Sequence, residues 1–282
     1  MSQKNRNIRI IPKLDIKNGL LIKGINLEGL RVLGDPYDFA KYYYECGADE
    51  ICYVDNVATL YGTNDLNKFI SRTAKDLFIP MTVGGGIRSV DDIKKILSFG
   101  ADKVCLNSQI IKTPNIISKA KKIFGSSTLC AIVETVKIDS EYFISCSNGR
   151  DLVKKNPITW AKHLEDLGVG EIFLTSVNKE GLKSGFDINI IEKISSKLKI
   201  PVIAHGGAGN FEHIKKVIKN TNIDAVAISS LLHYSAAPYF IKNFNNTGNT
   251  HFLKTLKKET IKINVIKNLK KFLKKNKINV RI

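Results

Sequence analysis

This chain of 282 residues is written twice, and that duplication limits its architecture more than any other feature. "FAKYYYECGADEI" at 39–51 matches "WAKHLEDLGVGEI" at 160–172, an offset of 121. The same offset relates "MTVGGGIRS" (81–89) to "VIAHGGAGN" (202–210). Each copy follows an Ile-Pro pair, Ile79-Pro80 and Ile200-Pro201, and each leads into a lysine-rich amphipathic segment, "DDIKKIL" or "EHIKKVI". "ADKVCLNS" (101–108) pairs with "IDAVAISS" (223–230) after a slip of one residue. Each half therefore repeats one order of strands and helices.

Eight apolar, β-rich runs read as strands: 8–15, 50–55, 80–84, 103–107, 129–134, 171–176, 201–205 and 224–229. Helix-period segments alternate with them at 36–46, 65–76, 90–99, 113–123, 157–167, 187–197, 211–220 and 255–275. Strands almost free of internal polar residues suit a sheet buried on both faces. Eight β-α units in series predict a (β/α)₈ barrel of two duplicated half-barrels, one domain spanning 1–282. An open doubly wound sheet is the alternative, and the two-half duplication favours closure. An extra segment at 235–251 is expected to precede the last helix.

Composition narrows the classes. With 43% hydrophobic and 25% charged residues the chain is an ordinary globular one. No apolar run approaches the roughly 20 residues of a membrane helix. The opening "MSQKNRNIRIIP" lacks the apolar core and cleavage site of a signal peptide, so a cytoplasmic protein that does not engage the membrane is expected. Cys46, Cys52, Cys105, Cys130 and Cys146 have no C-x-x-C spacing and read as reduced, buried thiols. The net charge of +18 comes from lysines spread along helix-like segments, densest at 253–277, with no interleaved aromatics for base stacking. It reads as a solvated surface and not as a nucleic-acid site, although its field attracts anionic small molecules. The five histidines show no metal-ligand spacing, so neither a metal nor another cofactor is expected.

In a barrel of this kind, chemistry sits where strands end. Gly84, Gly85 and Gly86 end the third strand; Gly206, Gly207 and Gly209 end the seventh. Glycine lets backbone N–H groups approach an anion closely, and a following helix N-terminus adds a favourable dipole. Asn107-Ser108 and Ser229-Ser230, ending the next strand in each half, supply polar neighbours. A single such loop would suit a tight turn without a ligand; two copies, each with polar neighbours, point to two phosphate sites and a substrate phosphorylated at both ends. Asp15 ends the first strand and Glu134 the fifth, across the barrel from each other, as an acid–base pair would require. Either carboxylate could instead cap a helix or pair with Lys23 or Lys137. Asp55 is a weaker third carboxylate, and His205 is the one histidine placed near chemistry.

At these residues the chain resembles the cyclase subunit of imidazole glycerol phosphate synthase. "RIIPKLDIKNGLLIKG", "TVGGGIRS", "GADKV", "GEIFLTSVNKEGLKSG" and "FLKKNKINVRI" match in order, from Arg9 to Ile282. The resemblance implies a two-half barrel that receives ammonia from a glutaminase subunit in a heterodimer. It also implies a lyase-type reaction that cyclises and cleaves a bisphosphorylated ribulosyl-aminoimidazole carboxamide nucleotide. By the same resemblance Asp15 is the general base and Glu134 holds the place of the general acid. Gly85, Gly86, Asn107 and Ser108 hold one phosphate; Gly181, Gly206, Gly207 and Ser229 hold the other. Arg9, Glu50, Lys103 and Glu171, at strand starts, correspond to the family's ammonia gate, with Asp102 on the glutaminase-docking face.

Three positions depart from the family. Glu134 replaces an aspartate, and a misplacement of about 1 Å can cost on the order of a hundredfold in rate. Leu182 stands for a threonine and His205 for a serine, both beside the second glycine loop. These departures leave open a paralogous barrel that channels ammonia for amidation of a surface sugar. A non-catalytic binding barrel is a third reading, against which Asp15 and both glycine loops weigh.

Overall fold

The computed structural model describes residues 6–56, 67–240 and 264–282. Strand β1 (Arg9–Lys17) sets the cross-section. Successive strand residues face opposite ways. Ile10, Leu14 and Ile16 join the large core between strands and helices, whereas Ile11 joins a separate apolar cluster inside the ring of strands. Arg9, Lys13 and Asp15 share the parity of Ile11 and therefore its inner face.

β1 turns back through a ribbon of β2 (Leu20–Ile25) and β3 (Glu28–Gly34), then α1 (Pro36–Glu45) leads into β4 (Ile51–Asp55). α2 (Asn67–Asp76), β5 (Met81–Gly84), α3 (Val90–Ser98) and β6 (Lys103–Leu106) complete the first half. A short α4 (Ser108–Lys112) and α5 (Asn115–Phe124) connect to β7 (Leu129–Ile138), which carries a second ribbon, β8 (Glu141–Cys146) and β9 (Asp151–Val153). α6 (Pro157–Leu167), β10 (Glu171–Ser176), α7 (Ile188–Ser195), β11 (Val202–His205), α8 (Phe211–Asn220), β12 (Ala225–Ile228), α9 (Ser230–Phe240) and α10 (Val265–Lys275) follow.

Parallel pairing runs β1–β4–β5–β6–β7–β10–β11–β12 and returns to β1, with Arg9 beside Ala225 closing the ring. This is the expected closed (β/α)₈ barrel. Its halves are alike in detail, since β1 and β7, opposite each other in the ring, each carry an antiparallel ribbon at the same end. Both glycine loops are followed by capped helices. Ser89 and Asp92 form a reciprocal capping box on α3, and Asn210 accepts the His213 N–H at 2.9 Å on α8.

The structure differs from the sequence expectation in two respects. The ribbons add four strands to the eight expected, and helices α4 and α9 lie where none was expected. α9 takes in Ser235–Phe240, the first part of the inserted segment; residues 241–251, like the start of the helix expected at 255, lie outside the described residues. α9 was hidden because it is apolar nearly all round and contains Pro238, so it shows little of the one-sided pattern that marks a surface helix.

Candidate active site

All eight barrel strands are parallel, so the sequence-predicted residues sort onto two rims. At the strand C-termini, Gly85 closes on the end of β4. Its φ of +102°, and a carbonyl oxygen of Asp55 only 2.3 Å from where a Cβ would stand, admit no side chain. Gly207 repeats this with a φ of +107° and the Gly185 oxygen 2.1 Å from the corresponding point. The backbone at both loops is thus tight for structural reasons before any ligand is considered.

The two loops differ in what lies over them. Gly85, Gly86, Asn107, Ser108 and Glu134 line one cavity of about 260 Å³, with the cationic side chains of Arg88 and Lys112 on its wall. The Ser108 hydroxyl accepts the Ser147 N–H at 3.1 Å, which leaves its own proton for a ligand. Asn107 Oδ1 is buried without a hydrogen-bond partner, a cost that a ligand donor or bound water would remove. Gly181, Gly206, Gly207 and Ser229 come together as expected, but around a space of only about 10 Å³. His205 and Glu180 form part of its wall. His205 lies 3.7 Å from Glu180, and its Nδ1 is 3.1 Å from the Thr175 hydroxyl. Ser230 Oγ, beside Ser229, is the other buried side-chain polar atom without a partner among the described residues.

Asp15 and Glu134 occupy opposite strands of this mouth, both buried, in unlike surroundings. The Lys13 ammonium is ion-paired with the Asp15 carboxylate. Burial alone would raise this carboxyl; Lys13 and then Lys23 more than offset it and hold it at about 2. Glu134 accepts the Gly149 N–H at 2.8 Å and a long contact from the Ser145 hydroxyl at 3.5 Å. Burial dominates there and pushes it from 4.5 up to about 7, against the pull of those donors and of Lys13. Neither Lys23 nor Lys137 is the partner weighed from sequence. Lys23 donates to both carboxylate oxygens of Glu180, at 2.7 and 2.8 Å, and Lys137 lies over the Tyr142 ring. Burial, then Lys13, hold His205 well below its ordinary value, so it is neutral. Lys13 and Glu180 escaped the sequence reading. Lys13 sits inside "IPKLD", two residues before Asp15, where strand parity already turned it inward.

At the opposite rim Arg9, Glu50, Lys103 and Glu171 close into one ring. Arg9 bonds Glu50 at 2.8 Å and also pairs with Glu171; Lys103 lies 3.1 Å from each of the same two carboxylates. The Thr82 hydroxyl adds a 2.6 Å bond to Glu50. Between the rims the lumen is apolar, lined by Ile11, Cys52, Cys105, Cys130, Phe173 and Ile203 among others. All five cysteines are buried and unbridged. Asp102 is exposed beside this charged ring, where its carboxylate accepts the Met81 N–H at 2.8 Å. Phe78, 81% exposed, stands on the same face next to a hollow of about 330 Å³. Among the described residues no helix is long and apolar enough to cross a membrane, and no His/Cys/Asp/Glu cluster could hold a metal.

A (β/α)₈ barrel with paired carboxylates at one mouth and a charged ring at the other defines an enzyme of the two-half barrel class. The chain matches the family model described as "Histidine biosynthesis protein" over residues 9–238. It is 46% identical over 207 residues to the imidazole glycerol phosphate synthase subunit HisF of Legionella pneumophila, covering 73% of this chain and 98% of that protein. The same subunit of Campylobacter concisus is 45% identical over 226 residues, 80% of this chain and 89% of the relative. That of Lactococcus lactis is 41% identical over 255 residues, 90% and 98%. The chain belongs to the family of imidazole glycerol phosphate synthase HisF subunits.

Proposed function

We propose that this chain is the ammonia-using cyclase subunit of an imidazole glycerol phosphate synthase. It converts the bisphosphorylated ribulosyl-aminoimidazole carboxamide nucleotide to imidazole glycerol phosphate and aminoimidazole carboxamide ribotide. The observation that carries this reading is the unlike state of the two opposed carboxylates. Paired with Lys13, Asp15 stays ionised across the working range and serves as base toward the incoming nitrogen. Glu134, desolvated and protonated up to about pH 7, serves as proton donor to the departing group. The extra methylene of Glu134 is accommodated by the ribbon turn at Gly149, which receives its carboxylate.

In this reading Gly85, Gly86, Asn107 and Ser108 anchor one phosphate in the open cavity. Gly181, Gly206, Gly207 and Ser229 anchor the other after His205 shifts. The Ser229 hydroxyl already donates to the Lys13 carbonyl at 2.9 Å, so a phosphate there meets the backbone N–H groups that begin α9. A glutaminase subunit docks over Asp102, Phe78 and the gate, whose opposite charges cancel while it is closed. Ammonia then crosses the apolar lumen without meeting bulk water, where it would be protonated.

The near-closed second loop favours one further reading, in which the barrel delivers ammonia to a different acceptor, such as a surface sugar. Purified barrel, the ribulosyl nucleotide and ammonium salt in large excess near neutral pH, where Glu134 still carries its proton, separate the two. The cyclase turns over, Asp15→Asn abolishes turnover, and Glu134→Gln lowers it by roughly a hundredfold. An inert wild type removes the cyclase reading.

A further inference from the structure

Every second residue of β1 faces the lumen. Arg9 belongs to the gate, Ile11 to the apolar layer and Asp15 to the mouth. Lys13 lies between the last two and is 4% exposed, where a lysine is almost never found unpaired. Its backbone is fixed as firmly as its side chain. The Lys13 carbonyl accepts both the Ser229 hydroxyl and His233 Nε2–H, each at 2.9 Å. A carbonyl can only accept, so the His233 proton is on Nε2, and Nδ1 accepts the Tyr43 hydroxyl at 2.7 Å. This chain of bonds runs from α1 through α9 to β1 and holds Lys13 under Asp15.

The second half supplies an internal control. Glu134 stands on β7 as Asp15 does on β1, and the residue two places before it is Ile132, buried in the apolar lumen cluster. One carboxylate thus has an ammonium beneath it and the other a hydrocarbon.

We propose that Lys13 is a positioning residue whose ammonium orients the Asp15 carboxylate and keeps it an anion at the inner end of the mouth. The Lys13/Ile132 difference then divides two otherwise equivalent carboxylates into base and acid. The other groups facing the pair are Lys23 on β2, Cys52 on β4, Cys105 on β6, Glu134 on β7, Glu180 after β10, His205 on β11 and His233 on α9. Lys23 is ion-paired with Glu180 and both histidines are neutral, so among the described residues Lys13 is the cation in direct contact with Asp15, with Lys23 acting on it from farther off. The catalytic consequence rests on Asp15 being the base of the proposed cyclase; the positioning does not.

The test is carboxyl ¹³C NMR of the full chain labelled at aspartate, with the Asp15 signal assigned by its loss in Asp15→Asn. Between pH 5 and 9 the wild-type signal stays at the ionised shift. In Lys13→Met, which keeps the length and removes the charge, Asp15 titrates inside that window, and in Lys13→Arg it does not. If Lys13→Met fails to fold while Lys13→Met/Asp15→Asn folds, the unpaired anion is what was lost, and the proposal holds. A Lys13→Met signal that stays ionised throughout overturns it, as does failure of both variants to fold, which makes Lys13 a general packing residue.

Turnover with ammonium salts, corrected for free ammonia, is the second readout. Lys13→Met loses at least tenfold below neutral pH and recovers as pH rises, while Lys13→Arg keeps the wild-type profile. If the NMR result holds but Asp15→Asn turns over like the wild type, Lys13 still positions Asp15 and it is the cyclase role of Asp15 that falls.

Discussion

Glu134 makes folding itself sensitive to pH. Its carboxyl is raised from 4.5 to about 7 by burial, so between those values the folded chain binds a proton that the unfolded chain has released. Stability from this group is therefore undiminished below about pH 4.5, falls as pH rises, and is at its lowest above about 7. At about 1.4 kcal/mol per pH unit the full penalty is about 3 kcal/mol. Glu134→Gln keeps the shape and removes the titration. Urea unfolding of wild type and variant at half-unit steps from pH 5 to 8.5 measures the difference, with matched slopes confirming that the unfolded states are comparable. The variant should gain on the wild type by about 2–3 kcal/mol between the ends of the range, with most of the change before pH 7.5. A difference that stays flat, or that grows toward acid, would refute the claim that Glu134 is held protonated by desolvation.

Other outcomes follow from the same contacts. Lys23→Met leaves Glu180 buried and unpaired and should cost about 3–5 kcal/mol in urea unfolding, most of it recovered in Lys23→Met/Glu180→Gln. Ser108→Ala should weaken inorganic phosphate binding to the barrel by about tenfold in calorimetric titration, since it deletes one hydrogen bond to a charged ligand. Glu171→Gln removes one of two anions from the charged ring that is proposed to gate ammonia. Paired with the glutaminase subunit it should lower glutamine-driven turnover while ammonium-driven turnover by the barrel stays near wild type; an equal fall in both would place Glu171 outside the ammonia path.

The fold was legible because duplication and strand composition act at the level of the backbone. Two copies of a βα pattern with doubly buried strands have few closed arrangements, and the eight barrel strands fell within a few residues of their expected bounds, the C-terminal end of β7 excepted. The ribbons were missed although β2 announces itself. Asn18-Gly19, with φ of +50° and +73°, is the hairpin turn that its sequence favours. β3 and β9 are partly exposed and polar, so they carry no apolar run to mark the partner strands.

The site was legible in position more than in chemistry. Strand ends and repeats located Asp15, Glu134 and both glycine loops, because those places follow from topology, whereas Arg9, Glu50, Lys103 and Glu171 were singled out by the family resemblance. What each group does depends on which side chain reaches it, and that is decided one residue at a time. The sequence offered Lys23 as a partner for Asp15, yet Lys23 is drawn to Glu180 and Lys13 takes its place. It offered two like phosphate loops, yet one, walled in part by His205 and Glu180, encloses about 10 Å³ while the other opens on about 260 Å³. At the carboxylates the two halves share a backbone, and one buried difference, Lys13 against Ile132, makes them differ in charge. A duplicated barrel can thus keep its symmetry in the main chain and place its chemistry in the few inward positions where the copies disagree. Lys13 against Ile132 is the clearest of these, since the same strand geometry puts a cation beneath one carboxylate and a hydrocarbon beneath the other.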